Sequence, residues 1–300
     1  MKLTSTPVLI SFFALFLLAA CTSNDSTIPK NDEKAFNDYW DQGKAELSTY
    51  KLSQSNNGSQ YDGTVVVAFV TEDFSKKKLV KLDEPEHRNM DAVKVMKCNM
   101  NKEFITGMNQ YNMMSSIFTP LDYKRDAHSL KLVASSQDCC GQTFLQVNWK
   151  RYRYEAQQFS YFESEGDCNI KLVNTWLEDE LWNKIRVAPD QLPIGKIKLV
   201  PSAFYLRLSH TKVKKYDAVT TLIDVNGLYT YSLQYPDLDR TLAITFEKVF
   251  PYKIRGWKES YGKNETTTAT LSRTILSDYW NHNNAGDELL RDTIQRNTYR

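Results

Sequence analysis

The sequence predicts a mainly β protein in which one large antiparallel sheet curls into a half-open β-barrel, with one central helix and short terminal helices. Three observations support this fold class. The 300 residues include 17 Tyr and 14 Phe, and aromatic side chains suit a pleated, half-buried surface. About eleven apolar or alternating segments are separated by short turns. Too few helical segments lie between them for a parallel α/β sheet, and a sheet of this size must curl or close to cover its apolar face.

The first residues have the pattern of an export signal. Lys2 precedes an apolar stretch from Val8 to Ala20, which is typical of a secretory signal and too short for a transmembrane helix. The run that ends at Cys21 resembles the bacterial lipobox, which implies cleavage before Cys21 and diacylation of its thiol. We therefore predict a lipoprotein signal peptide over residues 1–20 and a membrane anchor at Cys21. An ordinary signal peptide with an incidental cysteine is the alternative.

The remaining chain is predicted to be a flexible tether over residues 21–34 and a single antiparallel β domain over residues 35–300. The tether is polar and charged, as spacers usually are. Position 22 is Thr rather than Asp. In well-studied envelopes an Asp at that position retains a lipoprotein at the inner membrane, so the sequence favours the outer membrane.

The charge balance argues against a nucleic-acid partner. The chain has 38 Lys and Arg residues against 36 Asp and Glu residues, for a formal net charge of +2. Its basic runs, such as Lys76-Lys77-Lys78, are short and separated by acidic residues. Such a surface offers no electrostatic case for binding a polyanion, so these lysines are interpreted as solvated strand ends and turns.

The N-terminal half begins with a helix and continues in strands. Phe36, Tyr39 and Trp40 share one helical face, and Gly43 is expected to end the helix. Strands are predicted over 47–54 and 64–71, around an Asn57-Gly58 turn, and then over 80–82, 92–96, 102–107, 129–134, 145–150 and 154–163. Residues 108–123 are apolar without alternation and contain three of the seven methionines. We expect that segment to be a loop, either a mobile flap over a cavity or buried.

The C-terminal half begins with the central helix. A helical stripe from Trp176 to Ile185, stopped by Pro189, predicts this helix over 176–189. Alternation then predicts strands over 204–209, 219–225, 229–235, 242–246, 252–260 and 267–276. Asn226-Gly227 lies between two alternating runs, which is the strongest short hairpin signal. A short helix is expected over 287–293.

Four cysteines remain for disulfides once Cys21 is acylated: Cys98, Cys139, Cys140 and Cys168. An envelope compartment permits disulfides, and four cysteines allow three complete pairings. We favour one bridge from the adjacent pair to Cys168, across a hairpin. A zinc site is disfavoured because no histidine lies at ligand spacing. A redox switch is a weaker alternative because the pair lacks the C-x-x-C spacing.

Reactive motifs are scarce. The sequence contains no G-x-G-x-x-G, P-loop, H-E-x-x-H or G-x-S-x-G motif, and we expect no cofactor and no metal. Glu178-Asp179-Glu180 could supply a general acid or metal ligands, but charges that favour a helix start, paired with Arg186 in an exposed ion network, are the simpler interpretation. His210, at the end of the 204–209 strand, is the least ordinary of four separated histidines.

Aromatic stripes are the more informative signal. Tyr229, Tyr231 and Tyr235 fall on one strand face, and these residues and Trp149 are candidates to line an apolar cavity for an acyl chain or to stack on sugar rings. Core packing is the commoner reason for such stripes.

Several segments together carry a family resemblance. They are Asp38-Tyr39-Trp40, 48–52, 70–74, 113–120, 140–144, 178–186, 206–210, 250–257 and Asp278-Tyr279-Trp280. The chain resembles a family of envelope lipoproteins of unknown function whose members often carry the label "septum formation inhibitor Maf". True Maf pyrophosphatases have a Ser-x-Ser-Pro-Arg motif near the start, which this sequence lacks. The resemblance therefore implies an envelope lipoprotein and no nucleotide pyrophosphatase.

Three functions are compatible with these features. The leading expectation is a non-enzymatic, lipid-anchored envelope protein that binds or carries an apolar ligand, such as an acyl chain, in its curled sheet. The alternative is a scaffold lipoprotein that docks an envelope protein partner. A hydrolase would need His210 or the acidic trio in a cleft beside a nucleophile or a metal.

Overall fold

The computed structural model describes residues 33–84, 90–122, 127–262 and 265–290. The predicted signal peptide over 1–20, the acylation site Cys21 and most of the predicted tether lie outside the described residues. No helix in the described part of the chain combines the length and the apolar character needed to cross a membrane.

Strands dominate the described residues, with three α-helices and short 3₁₀ turns between them. The helices are α1 (Glu33–Trp40), α2 (Glu180–Val187) and α3 (Ala203–Leu208). The strands are β1 (Ala45–Asn56), β2 (Ser59–Ser75), β3 (Val80–Lys81), β4 (Ala92–Thr106), β5 (Asn109–Pro120), β6 (Lys131–Gln137), β7 (Gln142–Lys150), β8 (Arg153–Ser160), β9 (Cys168–Val173), β10 (Trp176–Leu177), β11 (Gly195–Val200), β12 (Tyr216–Val225), β13 (Leu228–Tyr235), β14 (Arg240–Glu247), β15 (Ile254–Tyr261) and β16 (Glu265–Ser277).

All sixteen strands belong to one sheet. Its order is β10-β11-β12-β13-β14-β15-β16-β1-β2-β4-β5-β6-β7-β8-β9, and β3 pairs with β2 beside this path. The ladders are antiparallel except for the short parallel pair β10–β11. Within the described residues no ladder joins β9 and β10, the two ends of this order. The curled sheet therefore remains open. This confirms the predicted mainly β class and the curled antiparallel sheet; the strands do not close into a complete barrel.

The concave side of the sheet is filled by α2. Every residue of this helix is buried, and its apolar members Leu181 and Ile185 belong to the main hydrophobic core. Inward-facing side chains from both halves of the sheet, such as Val67 and Ile244, join the same core. Because the sheet surrounds the helix, no face of α2 is left to solvent.

Local signals in the sequence predicted several elements well. Helix α1 ends at Trp40, and Gly43 adopts φ +68° just beyond it. The Asn226-Gly227 dipeptide joins β12 to β13, with positive φ at both residues, as a type I′ hairpin requires. Of the C-terminal helix expected over 287–293, residues 288–290 are helical and the rest lies outside the described residues.

The predicted loop over 108–123 is wrong, because most of it is strand β5. This strand pairs with β4 on one side and with β6 on the other. Ser115 and Ser116 are both buried, and a strand that is covered on both faces loses the alternation by which strands are recognised. The mobile flap inferred from the methionines is therefore also wrong.

The strand predicted over 204–209 is wrong as well, because residues 203–208 form α3. Ser202 caps the helix, accepting a hydrogen bond from the Tyr205 N–H at 3.2 Å. The Asp179 carboxylate accepts the Ala203 N–H at 3.1 Å. These acceptors satisfy N–H groups that a helix start leaves free. The predicted central helix is also shorter than expected, because Trp176 and Leu177 form β10 before α2 begins.

Candidate functional site

The buried end of α2 carries an ion pair. Arg186 Nη1 donates to Glu46 Oε1 at 2.5 Å and Nη2 donates to Oε2 at 2.7 Å, with both side chains fully buried. Burial opposes the ionisation of Glu46, but the Arg186 guanidinium outweighs it and holds the pKa of Glu46 below its usual range. The predicted exposed ion network is therefore wrong, because the sheet that surrounds α2 removes Arg186 from solvent.

Glu178 is buried with its own partners. It accepts hydrogen bonds from Arg240 Nη1 at 2.6 Å, from Arg240 Nη2 at 2.7 Å and from the Tyr235 hydroxyl at 2.6 Å. Arg240 also donates from Nε to Glu259 at 2.7 Å. Glu178 precedes α2, and its hydrogen bonds therefore connect the start of this helix to strands β13 and β14.

Glu180 and Asp179 are equally enclosed. Glu180 accepts hydrogen bonds from the Ser129 N–H at 2.7 Å and from the Tyr154 hydroxyl at 3.0 Å. Asp179 caps α3, and burial next to Glu178 raises its pKa to about 7. The described residues contain no group of His, Cys, Asp and Glu side chains suited to a metal ion. The trio is occupied by structural partners, and we assign it to fixing α2 in the sheet.

The three tyrosines predicted to line a cavity lie in the packed interior. Tyr229, Tyr231 and Tyr235 are buried members of the main core. The Tyr231 hydroxyl donates to the Pro193 carbonyl at 2.7 Å. Trp149 is partly buried and packs against the His128 ring, with centroids 4.5 Å apart. None of the four lines the cleft described next, so a ligand-lining role for them stays a prediction.

A cleft lies between α3 and the inner face of strands β5–β8. Its floor is formed by Met113, Ala134 and Leu145, and its roof by Phe204, Leu206 and Val213. The enclosed part has a volume of ≈ 30 Å³, about that of one water molecule. We call this space the α3 cleft.

A larger recess at the rim of the sheet shares lining residues with the α3 cleft. Ser136, Thr143 and Phe144 line both cavities, and Gly141, Phe159 and Tyr161 line the recess alone. The recess has a volume of ≈ 700 Å³, which lies in the range of small-molecule sites. Ser136 Oγ is buried without a hydrogen-bond partner among the described residues, so a polar donor is free at the junction.

Three side-chain contacts hold α3 over the cleft. Arg207 Nη2 donates to Asp138 Oδ2 at 2.7 Å, and its guanidinium stacks on the Phe162 ring at 4.1 Å. His210 Nδ1 lies 2.7 Å from Glu165 Oε1. The end of α3 is thereby tied to the β6–β7 and β8–β9 turns. His210 follows a helix and is engaged by Glu165, whereas the sequence placed it at a strand end.

Sequence reasoning missed this site because it assigned α3 to a strand. Phe204 and Leu206 alternate with Tyr205 and Arg207, whose side chains end in polar groups. In so short a segment this pattern resembles the alternation of a β-strand. Ser202, three residues before Tyr205, was the available signal, since Ser before an apolar run is typical of a helix N-cap.

The four described cysteines are free thiols in this structure. Cys139 and Cys140 are exposed in the β6–β7 turn, and Cys168 begins β9. Strands β7 and β8 lie between that turn and β9, and neighbouring strands are about 4.8 Å apart. The turn would have to fold over the sheet end to form the bridge, so the bridge to Cys168 stays a prediction.

Comparison with known proteins identifies no relative. The sequence matches no protein-family model, and no curated protein is significantly similar to it.

Proposed function

We propose that this chain is a non-enzymatic, lipid-anchored protein of the bacterial envelope that binds an acyl chain in the α3 cleft. The observation that carries the proposal is the cleft's construction: an apolar floor and an apolar roof, beside a recess of ≈ 700 Å³ at the sheet rim. Concave, mainly apolar sites with a few polar groups are typical of small-molecule binding. The lipobox-like run at Cys21 supports the proposal, because an acylated Cys21 would hold the protein at a membrane, where acyl chains are available.

The structure limits where a bound acyl chain can lie. Helix α2 fills the centre of the sheet, where Tyr231 and Tyr235 are fully buried, so the proposal puts the acyl chain under α3. The enclosed part of the α3 cleft is as small as a water molecule. Binding therefore requires α3 to move outward, against its contacts from Arg207 and His210.

Native mass spectrometry on residues 22–300, with oleate as the probe, tests the proposal. We expect one oleate per chain. Ala134→Phe fills the floor and should reduce oleate retention about tenfold or more, whereas Ile223→Phe, on an exposed part of β12, should not. Absence of any oleate adduct from the wild-type protein would overturn the acyl-binding proposal.

The anchor has its own test. Cys21→Ser removes the acylated thiol, and we expect the variant to move from the membrane fraction to the soluble envelope fraction. Metabolic labelling with radioactive palmitate should mark the wild-type protein and leave this variant unlabelled. Labelling of the Cys21→Ser protein would contradict acylation at this residue.

Docking of an envelope protein is a second candidate function, favoured by one observation. Met114, Phe144 and Phe159 are 45%, 37% and 48% exposed on β5, β7 and β8, and the two phenylalanines also line the recess at the sheet rim. Phe144 pairs directly with Phe159, and their ring centroids are 6.3 Å apart. Exposed aromatic side chains in such a row are typical of protein interfaces. Cross-linking in intact cells should lose its main product in Phe144→Glu and keep it in Ile223→Glu.

A further inference from the structure

Two buried hydrogen-bond donors in the α3 cleft lack an acceptor. Ser136 Oγ, on β6, and Arg207 Nε, on α3, belong to residues that line the cleft, and neither atom has a hydrogen-bond partner among the residues that the structure describes. Ser136 is 3% exposed, and the side chain of Arg207 is 9% exposed. Buried polar groups in proteins nearly always have partners, because an unsatisfied group keeps its full desolvation cost. Two such donors in one cavity are the arrangement expected where a ligand supplies the acceptor.

The rest of the Arg207 guanidinium is already engaged. Nη2 donates to Asp138 Oδ2 at 2.7 Å, and Nη1 lies 3.5 Å from His210 Nε2. The Phe162 ring stacks on the guanidinium at 4.1 Å. A guanidinium stays protonated in proteins, so the single N–H of Nε is a permanent donor that these contacts hold in place.

The charges around the cleft favour an uncharged acceptor. The Asp138 carboxylate already balances the positive charge of Arg207. Glu165 also lines the cleft, and one of its oxygens lies 2.7 Å from His210 Nδ1. A carboxylate ligand would add a negative charge near Glu165, and like charges in one site repel each other. A neutral carbonyl oxygen accepts hydrogen bonds without this cost.

The enclosed part of the cleft has the size of such an acceptor. Its volume of ≈ 30 Å³ is about that of one water molecule, which is enough for a carbonyl oxygen. That oxygen has two lone pairs, one for each of the two donors. The apolar floor of Met113, Ala134 and Leu145 belongs to the same cavity. The cleft therefore combines an apolar surface with a place for one neutral polar group.

We infer that the α3 cleft takes a long-chain acyl ester, whose carbonyl oxygen accepts hydrogen bonds from Ser136 Oγ and Arg207 Nε while the chain lies on the apolar floor. This inference rests on the proposed acyl binding and adds the class of ligand. The ester supplies the missing acceptor and brings no charge. When α3 moves outward to admit the chain, these hydrogen bonds offset part of the contacts that Arg207 and His210 give up.

Three probes with the same number of carbons in the chain test the inference: methyl oleate, oleate and cis-9-octadecene. Each would be delivered from cyclodextrin to residues 22–300 at pH 7, and the bound fraction measured by gel filtration and gas chromatography. We expect methyl oleate to bind about 10–100-fold more tightly than the hydrocarbon, which is the usual value of a hydrogen bond from a charged donor. Oleate should bind through its tail, and no more tightly than the ester.

Two substitutions remove one donor each. Ser136→Ala should weaken methyl oleate binding about fivefold and leave hydrocarbon binding unchanged. Thr64→Val is the matched control, because Thr64 Oγ1 is also buried without a partner among the described residues but Thr64 does not line the cleft. Neither change should prevent folding, since each deletes an unsatisfied hydroxyl. Arg207→Lys keeps a positive charge near Asp138 without Nε, and should also reduce the difference between ester and hydrocarbon.

The outcomes separate this inference from the acyl-binding proposal. Equal affinity of the wild-type protein for ester and hydrocarbon, or an unchanged difference in Ser136→Ala, would overturn the carbonyl site while acyl binding stands. Much tighter binding of oleate than of the ester would assign the cleft to a free carboxylate and overturn the inference as well. If the wild-type protein bound none of the three probes, acyl binding itself would be wrong.

Two further probes distinguish the sources of the ester. Monoolein is a glyceride and oleoyl lysophosphatidylglycerol is a phospholipid, and both carry the oleoyl ester. We expect at least one of them to match the affinity of methyl oleate, and the tighter of the two identifies the source. Failure of both to bind would overturn the ester assignment.

Discussion

Arg186 and Glu46 form a buried, two-fold hydrogen-bonded ion pair, although 140 residues separate them in the chain. The pair joins the last turn of α2 to the first strand of the sheet. Arg186 also stacks on the rings of Trp40 and Phe69, at 5.1 and 4.7 Å. The central helix is therefore held at a defined position by charge as well as by apolar packing.

Removing one partner of this pair should be strongly destabilising. Glu46→Gln leaves the Arg186 charge buried without a counter-ion, and we expect the free energy of unfolding to fall by about 3–5 kcal/mol. The double variant Glu46→Gln/Arg186→Met should lose less than the sum of the two single variants. Urea denaturation followed by tryptophan fluorescence measures both.

An exposed pair serves as the control. Lys34 and Asp38 form an ion pair on α1, with side chains 80% and 63% exposed. Asp38→Asn should change the unfolding free energy by about 0–1 kcal/mol. If Glu46→Gln were as mild as this control, the Arg186 pair would not be what positions α2.

Ionisation of Asp179 should make the protein less stable as the pH rises. A carboxylate that is paired with a cation has the opposite effect. Its pKa is raised to about 7 when folded, against about 3.9 in an unfolded chain. Between these values the folded state binds the extra proton, so the Asp179 contribution lowers stability as pH rises from about 4 to about 7. Asp179→Asn, which can still accept the Ala203 N–H, removes this contribution.

The measurement compares Asp179→Asn with the wild-type protein at pH 5 and pH 8. We expect the variant to gain stability relative to wild type at pH 8, by at most about 4 kcal/mol, and to lose most of that advantage at pH 5. The comparison cancels Glu46 and Glu180, whose lowered pKa values act in the other direction. A pH-independent difference would refute the assignment.

Two glycines make a matched pair for testing close approach in the sheet. A Cβ at Gly256 would lie 2.4 Å from the Ala269 carbonyl oxygen on β16, which the ladder holds in place. A Cβ at Gly141 would lie 2.6 Å from the ring of Tyr161, which is 71% exposed and can turn away. Gly256→Ala should cost about 1–3 kcal/mol, and Gly141→Ala much less, in thermal unfolding. Equal losses would contradict this reasoning.

Thiol reactivity should separate the cysteines into two classes. Cys98 is buried, and burial raises the pKa of its thiol well above the usual range. Cys139 and Cys140 are exposed. With a thiol reagent on reduced, native protein lacking Cys21, we expect the adjacent pair to react at once and Cys98 only after unfolding. The same titration on protein secreted under oxidising conditions tests for the bridge to Cys168, because a disulfide lowers the number of reactive thiols by two.

Local chemistry explains which elements could be predicted. The helix at Phe36, Tyr39 and Trp40 and the hairpin at Asn226-Gly227 each depend on residues close in sequence, and both are present. Strand β5 and helix α3 were assigned incorrectly, since residues 115–120 of β5 are covered on both faces and α3 depends on a cap from Asp179, 24 residues away. The cleft was missed with α3.

The sequence by itself determined the class of the fold, because aromatic, alternating segments divided by turns are compatible with an antiparallel sheet and with little else. It could not determine the surroundings of residues 178–186, whose mixed charges read as an exposed helix start. Only the tertiary structure decided that they are buried, because Glu46, Arg240 and Ser129 reach them from three distant parts of the chain. Charge patterns report which side chains are polar, whereas burial depends on the long-range strand pairing that curls the sheet around α2.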